Sequence, residues 1–140
     1  MELSFMKKSR TKEIPKTDYH GYLKTAKEYI DGAKDHHAKE RFIATCGDCV
    51  HGMIAACDAL TIYFLGRKSA GQNHMEAVNL LRQVAPNDEQ LTREITRFGR
   101  VLSLKNAAEY DGGKVNQRDA ETSLRDAQRF LEFVMTRIKK

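Results

Sequence analysis

The chain has 140 residues, of which 41% are hydrophobic and 31% charged, and its net charge at neutral pH is +5. This length suits one compact domain, and the composition is typical of a soluble globular protein. The longest apolar stretch, residues 42–65, is interrupted by Asp48, His51 and Asp58, so we expect no membrane-spanning helix. Because no secretory segment is recognisable and the three cysteines are an odd number, the sequence predicts a cytoplasmic protein.

Residues 1–16 are predicted to form a basic, disordered tail, and residues 17–140 a single helical domain. The tail carries five basic and two acidic residues, which gives it a net charge of +3, whereas the rest is nearly balanced. The basic residues are Lys7, Lys8, Arg10, Lys12 and Lys16. A contact between this tail and nucleic acid or an acidic partner is the alternative to a solvated arm, because clustered lysines displace counterions from phosphates.

Apolar residues at three- and four-residue steps predict helices throughout residues 17–140, and no stretch alternates in the way that strands do. The first helix follows an N-cap at Thr17 or Asp18. The second covers about residues 39–65, and Gly66 stands where a left-handed C-terminal glycine is common.

The remaining connections are short. Residues 67–73, RKSAGQN, are expected to be a loop, and a shorter helix over about residues 74–84 follows. The last two long helices cover about residues 89–110 and 117–138, joined by the turn DGGKVN. Short connections favour antiparallel neighbours, so the predicted fold is all-α: an up-and-down bundle of four long antiparallel helices plus one short inserted helix.

The helix over residues 89–110 changes character along its length. At about 100° per residue its apolar side chains form one stripe, and the same stripe becomes polar near the end of the helix. The apolar part is Leu91, Ile95, Phe98 and Leu102, and the polar part is Lys105, Asn106 and Glu109. Either the helix outruns its core, with Lys105 and Glu109 as an i,i+4 ion pair, or the polar residues line a groove.

The run RVLSLKNAAEYD on this helix, followed by a glycine turn and by NQRDAETSLRDAQRF, resembles the HEPN superfamily. The first helix (DYHGYLKTAKEYI), the second (CVHGMIAACDALTIYFLG) and the stretch NHMEAVNLL are also similar, so the resemblance covers roughly residues 18–138. It implies a helical bundle, often a homodimer, of the kind found in prokaryotic toxin–antitoxin and defence proteins.

In ribonucleases of that superfamily an arginine, a following polar residue and a histidine further along the helix line a cleft between two subunits and cleave RNA without a metal. The resemblance places Lys105 at the arginine position, Asn106 at the polar position and Tyr110 at the histidine position. Lysine keeps the charge but loses the planar fork of arginine, and tyrosine, with a pKa of about 10, is a poor base at neutral pH. The resemblance therefore implies a binding site of Lys105, Asn106, Glu109 and Tyr110 with little catalysis.

Three functions stay open at this point. The leading one is a homodimer that binds RNA, a nucleotide or a partner protein at an inter-subunit cleft. The second is a metal-independent endoribonuclease toxin in which Lys105 and Tyr110 are catalytic, and the third is a structural interaction module. The resemblance also implies a nucleotidyltransferase-type antitoxin as partner, and no cofactor is expected.

The motif CGDCVH invites a zinc or redox interpretation, but its spacing argues against one. Structural zinc sites take their ligands from separate elements, whereas these residues lie on one predicted helix. We therefore expect no metal, and expect Cys46, Cys49 and Cys57 to pack in the core, with His51 pointing away from them.

Three other polar residues are not expected to belong to the site. His36 and His37 are predicted to be a solvated pair at the end of the first helix, where cations suit the helix dipole. Arg100 lies on the opposite side of its helix from Lys105, so it is not expected to replace that residue.

Overall fold

A computed structural model of the chain describes residues 10–71, 73–110 and 112–138, without the side chains of residues 108–110. Within this part the fold is mostly helical, with five α-helices and one small two-stranded sheet. In chain order the elements are β1 (Thr11–Glu13), a 3-10 turn (Lys16–Asp18), α1 (Tyr19–Ala38), α2 (Phe42–Leu65), β2 (Arg67–Ser69), α3 (His74–Arg82), α4 (Glu89–Tyr110) and α5 (Gln117–Ile138). The predicted helical class is therefore confirmed.

The bounds of the helices agree closely with the sequence pattern. Both α4 and α5 have the predicted limits, and Gly66, with φ of 72°, ends α2 in the left-handed conformation expected there. Its N–H donates to the carbonyl of Ile62 over 2.9 Å. Helix α2 begins at Phe42, later than expected, because the backbone of Glu40 has a φ of 59° and interrupts the helical path.

The two strands were not anticipated. Strand β1 pairs antiparallel with β2, with Lys12 opposite Lys68, and residues 67–69 are therefore not the loop that the sequence predicted. Hydrogen bonds extend the pairing, because Ile14 N–H donates to the Gly66 carbonyl over 3.0 Å and Ala70 N–H to the Arg10 carbonyl over 2.9 Å. Strand β1 lies in the segment assigned to the basic tail, whose residues 1–9 are outside the described part.

Helix α2 is the centre of the core. It contacts α1, α3, α4, α5 and strand β2, and its residues are buried almost continuously from Gly52 to Ile62. Helices α4 and α5 meet through Phe98 and Phe130, whose ring centroids are 5.5 Å apart and whose side chains are fully buried. Such tilted aromatic pairs add about 1 kcal/mol beyond the burial of their surface.

By length and composition α2 alone, among the described helices, could cross a membrane. However, 67% of its apolar window is buried inside the fold. It also carries Thr45, Asp58 and Thr61, all buried against other parts of the chain. This is the pattern of a core helix in a soluble protein.

Candidate functional site

Helix α4, which carries the predicted site, is fixed at its beginning. The side-chain Oδ1 of Asp88 accepts a hydrogen bond from the N–H of Leu91 at 2.9 Å, and Arg137 of α5 contacts the other oxygen at 2.8 Å. The Leu91 N–H, with help from Arg137, lowers the pKa of Asp88 from its usual value. Asp88 therefore caps α4 and ties its start to the end of α5.

The predicted change of character along α4 is present in the structure. The four apolar side chains of the stripe, Leu91, Ile95, Phe98 and Leu102, are all buried. One turn beyond Leu102, Lys105 is only half-buried and Asn106 is exposed, although α4 continues to Tyr110. The helix thus extends about two turns past Leu102, and none of the side chains described on that stretch, residues 103–107, is fully buried.

The other two predicted site residues lie at the end of α4, where the structure describes the backbone only. Glu109 and Tyr110 are helical, but their side chains are outside the described part of the chain. The ion pair between Lys105 and Glu109 and the closeness of Asn106 and Tyr110 therefore stay predictions.

The link after α4 explains why the helix stops abruptly. Gly112 and Gly113 both have left-handed backbones, with φ of 74° and 73°, which side chains other than glycine rarely adopt. Helix α5 then begins with a reciprocal cap: Asn116 Oδ1 accepts from the N–H of Asp119 at 2.8 Å, and Asp119 Oδ2 accepts from the N–H of Asn116 at 3.2 Å. The short link places the end of α4 near the start of α5.

Two histidines at the end of α1 lie beside carboxylates of neighbouring helices. His36 Nε2 lies 3.6 Å from Asp48 of α2, and His37 Nε2 lies 4.0 Å from Glu121 of α5. Both side chains are half-buried, so the prediction of a solvated pair was wrong. The cause is that two neighbouring helices present carboxylates where α1 ends.

Arg100 is committed elsewhere, as its position on the helix suggested. Its guanidinium contacts both oxygens of Asp126 on α5, at 3.0 Å and 3.2 Å. Asp126 is 1% exposed, and it is not among the residues predicted from the sequence to be buried or functional. It could have been found, because it lies on the same face of α5 as Ser123, Ala127 and Phe130.

A second buried acid missed from the sequence is Asp58 on α2. Its carboxylate lies 3.6 Å from the ammonium group of Lys68 on β2, which also sits 5.1 Å from the centre of the Tyr22 ring. Burial raises the pKa of Asp58 to about 6, although Lys68 acts in the opposite direction. This pair attaches the strand to the core helix.

The cysteines are core residues, as predicted. Cys46, Cys49 and Cys57 are buried with free thiols, and burial is the main cause that raises the pKa of each. His51 is exposed and points away from them. In residues 10–71, 73–110 and 112–138 no group of three His, Cys, Asp or Glu residues is placed to hold a metal ion.

Comparison with known proteins assigns no family. No protein-family model matches the chain, and no curated protein matches it either. The resemblance to the HEPN superfamily therefore stays a prediction, as do the roles that it implies for Lys105, Asn106, Glu109 and Tyr110.

Proposed function

We propose that the chain is a cytoplasmic, HEPN-like homodimer that binds RNA or a nucleotide between its two copies. In this proposal the four long helices form an up-and-down antiparallel bundle, and each copy contributes the end of α4 to the cleft. A nucleotidyltransferase-type antitoxin, encoded beside this protein, would be a partner of the dimer.

The observation that carries the proposal is the extension of α4 beyond Leu102. On that stretch the face that was buried becomes polar, and Lys105 is half-buried rather than fully solvated. A polar face that continues a buried apolar stripe is suited to contact with a second copy or with a ligand, and this is the arrangement that the proposal assigns to it. In this proposal a second copy, or an anionic ligand, covers the polar face of this stretch.

The chemistry of the end of α4 fits binding better than cleavage. The Lys105 ammonium provides a positive charge for a phosphate group, and the exposed Asn106 amide provides hydrogen-bond donors. A lysine cannot hold a phosphate with the two parallel bonds of a guanidinium, so it stabilises a developing negative charge less well. The tyrosine at the histidine position would be a poor general base.

Two measurements test this proposal together. Light scattering should give the mass of a dimer at micromolar concentration, and a monomer would remove the shared cleft. Labelled total RNA incubated with the protein in EDTA should stay intact. Cleavage that is lost in both Lys105→Ala and Tyr110→Phe would instead establish a metal-independent endoribonuclease and contradict the proposal of a binding module.

A further inference from the structure

An open apolar depression lies where α2 begins and where α4 is linked to α5. Two charged residues stand at its edge, and the rest of its lining is apolar: Glu40 and Arg41, then Phe42, Ile43, Ala44 and Val115. Ile43 is 53% exposed, the largest value among the large hydrophobic side chains of the described residues. Exposed apolar surface that is gathered in one place and rimmed by polar residues marks a contact with another molecule.

The two charges at the edge of the depression have no partner in the part of the chain that the structure describes. Glu40 and Arg41 are both exposed, and neither side chain takes part in a hydrogen bond or an ion pair there. The backbone of Glu40 also has a φ of 59°, a left-handed conformation in which glycine would be less strained. The turn itself therefore does not explain a glutamate at this position, and both charges can pair with another molecule.

The depression adjoins the end of α4, where the proposed cleft lies. Val115 follows Tyr110 by five residues, which span at most about 18 Å when fully extended. The link is folded back, since the N–H of Val115 donates to the carbonyl of Gly113 over 2.9 Å. A protein that covers the depression is therefore large enough to reach the end of α4 as well.

The charges and the apolar centre together identify the occupant. A nucleic acid is not suited to the depression, because Glu40 repels phosphates and the apolar side chains offer them no hydrogen bonds. A second copy of the same surface is suited, because a two-fold axis places residues i and j of one copy against residues j and i of the other. Glu40 of each copy then faces Arg41 of the other, and the apolar centres of the two copies pack together.

We propose that this apolar depression, residues 40–44 with Val115, is the surface through which two copies of the chain associate. The inference rests on the proposed function, because it names the contact that brings the ends of two α4 helices to one cleft. Its apolar residues supply most of the affinity, and two pairs of Glu40 with Arg41 fix the orientation of the copies. Lys105 does not line the depression, so the contact and the ligand use different residues.

The first test is a matched pair of substitutions. Ile43→Asn removes the most exposed apolar side chain of the depression, and Met75→Asn makes a similar change on α3, where Met75 is 46% exposed and outside the lining. The dissociation constant of the dimer, measured by sedimentation, should rise at least about tenfold in Ile43→Asn, since a central apolar contact is lost. It should stay unchanged in Met75→Asn, and circular dichroism checks that both variants are folded.

A second test uses the two charges and does not depend on the apolar side chains. Glu40→Arg leaves two basic residues at the edge and Arg41→Glu leaves two acidic ones, so each variant alone should dimerise about tenfold more weakly. An equimolar mixture of the two variants should associate as tightly as the original chain, because every acid then meets a base across the contact. A residue that served only the fold of one copy would not produce this recovery.

The outcomes separate this inference from the proposed function. If the original chain is a dimer and stays equally tight in Ile43→Asn, Glu40→Arg and Arg41→Glu, the copies meet elsewhere: the inference is overturned and the proposed function stands. If the original chain is a monomer, both are overturned. If the dimer depends on the depression but binds no RNA or nucleotide, the contact is supported and only the ligand of the proposed function is wrong.

Discussion

At the scale of single residues, the main departure from the sequence pattern is that two charged side chains are buried at core-facing positions of their helices. Asp58 and Asp126 are both on faces that pack into the core, and each has a basic partner from another element, Lys68 and Arg100. An unpaired charge there would cost several kcal/mol, roughly 3 to 5 when one partner of a buried pair is removed. The basic partner of a buried acid can come from any part of the sequence. The spacing of apolar residues along one helix therefore does not reveal which acids are buried.

Asp58 should make the stability of the protein depend on pH. The pKa of Asp58 is about 6 in the folded protein, against the usual value of 3.8 that we take for the unfolded chain. The folded chain therefore holds the proton more tightly. The associated stabilisation, roughly 3 kcal/mol, is complete below about pH 4 and is lost as the pH rises through about 6. Asp58→Asn should remove this component of the pH dependence in urea denaturation between pH 4 and 7.

Asp31→Asn is the matched control for that prediction, because Asp31 undergoes the same chemical change with its side chain 74% exposed. Its pH profile should follow that of the unaltered chain. An unchanged profile in Asp58→Asn would mean that the burial of Asp58 does not shift its ionisation.

The three thiols should be inert in the folded protein. Each is buried, and burial raises the pKa of each, so almost no thiolate is present at pH 8. A thiol reagent that absorbs on reaction, such as a dinitrobenzoate disulfide, should detect no thiol before denaturation and three afterwards. Fast reaction in the native state, or release of zinc on denaturation, would revive the metal or redox interpretation of CGDCVH.

At the scale of elements, helices were predictable and strands were not. Helices α4 and α5 have 22 residues each, and apolar side chains recur at helical spacing along most of α5 and along α4 as far as Leu102, which is long enough to indicate the type of the element. Strands β1 and β2 have three residues each, TKE and RKS, and no alternation of polar and apolar residues. Their pairing joins residues more than 50 positions apart, such as Ile14 with Gly66 and Ala70 with Arg10, and contacts of this kind leave no local pattern in the sequence.

The packing of α1 on α2 provides a prediction at this scale. A Cβ atom at Gly52 would lie 2.8 Å from Cγ1 of Ile30 and 3.4 Å from the carbonyl oxygen of Ala26. Gly52→Ala should therefore destabilise the protein by about 1 to 3 kcal/mol, despite the better helix propensity of alanine. Chemical denaturation of the variant and the original chain measures the difference.

Gly47 is the matched control on the same helix. A Cβ atom there would meet nothing within 4 Å, so Gly47→Ala should stabilise the protein by up to about 1 kcal/mol through helix propensity alone. If both substitutions had the same effect, the close approach of α1 and α2 at Gly52 would not be present in solution.

At the scale of the whole molecule, the sequence predicted a helical domain and pointed to the end of α4. The buried stripe that ends at Leu102 and the polar residues that follow it were both visible in the spacing. The burial of Asp58 and Asp126 was not, because their basic partners come from other elements of the chain. A site between two copies is harder still to predict, since the surface on which they meet exists only once the chain has folded.

The central claim is that the end of α4 binds RNA through Lys105. The most direct test is the dissociation constant for a labelled single-stranded RNA, measured by fluorescence anisotropy for the original chain, Lys105→Ala and Lys24→Ala. Lys24 is exposed on α1, and its substitution removes the same charge. We predict that Lys105→Ala weakens binding about tenfold and Lys24→Ala hardly at all. Equal affinity in all three, or no binding by the original chain, would contradict the claim.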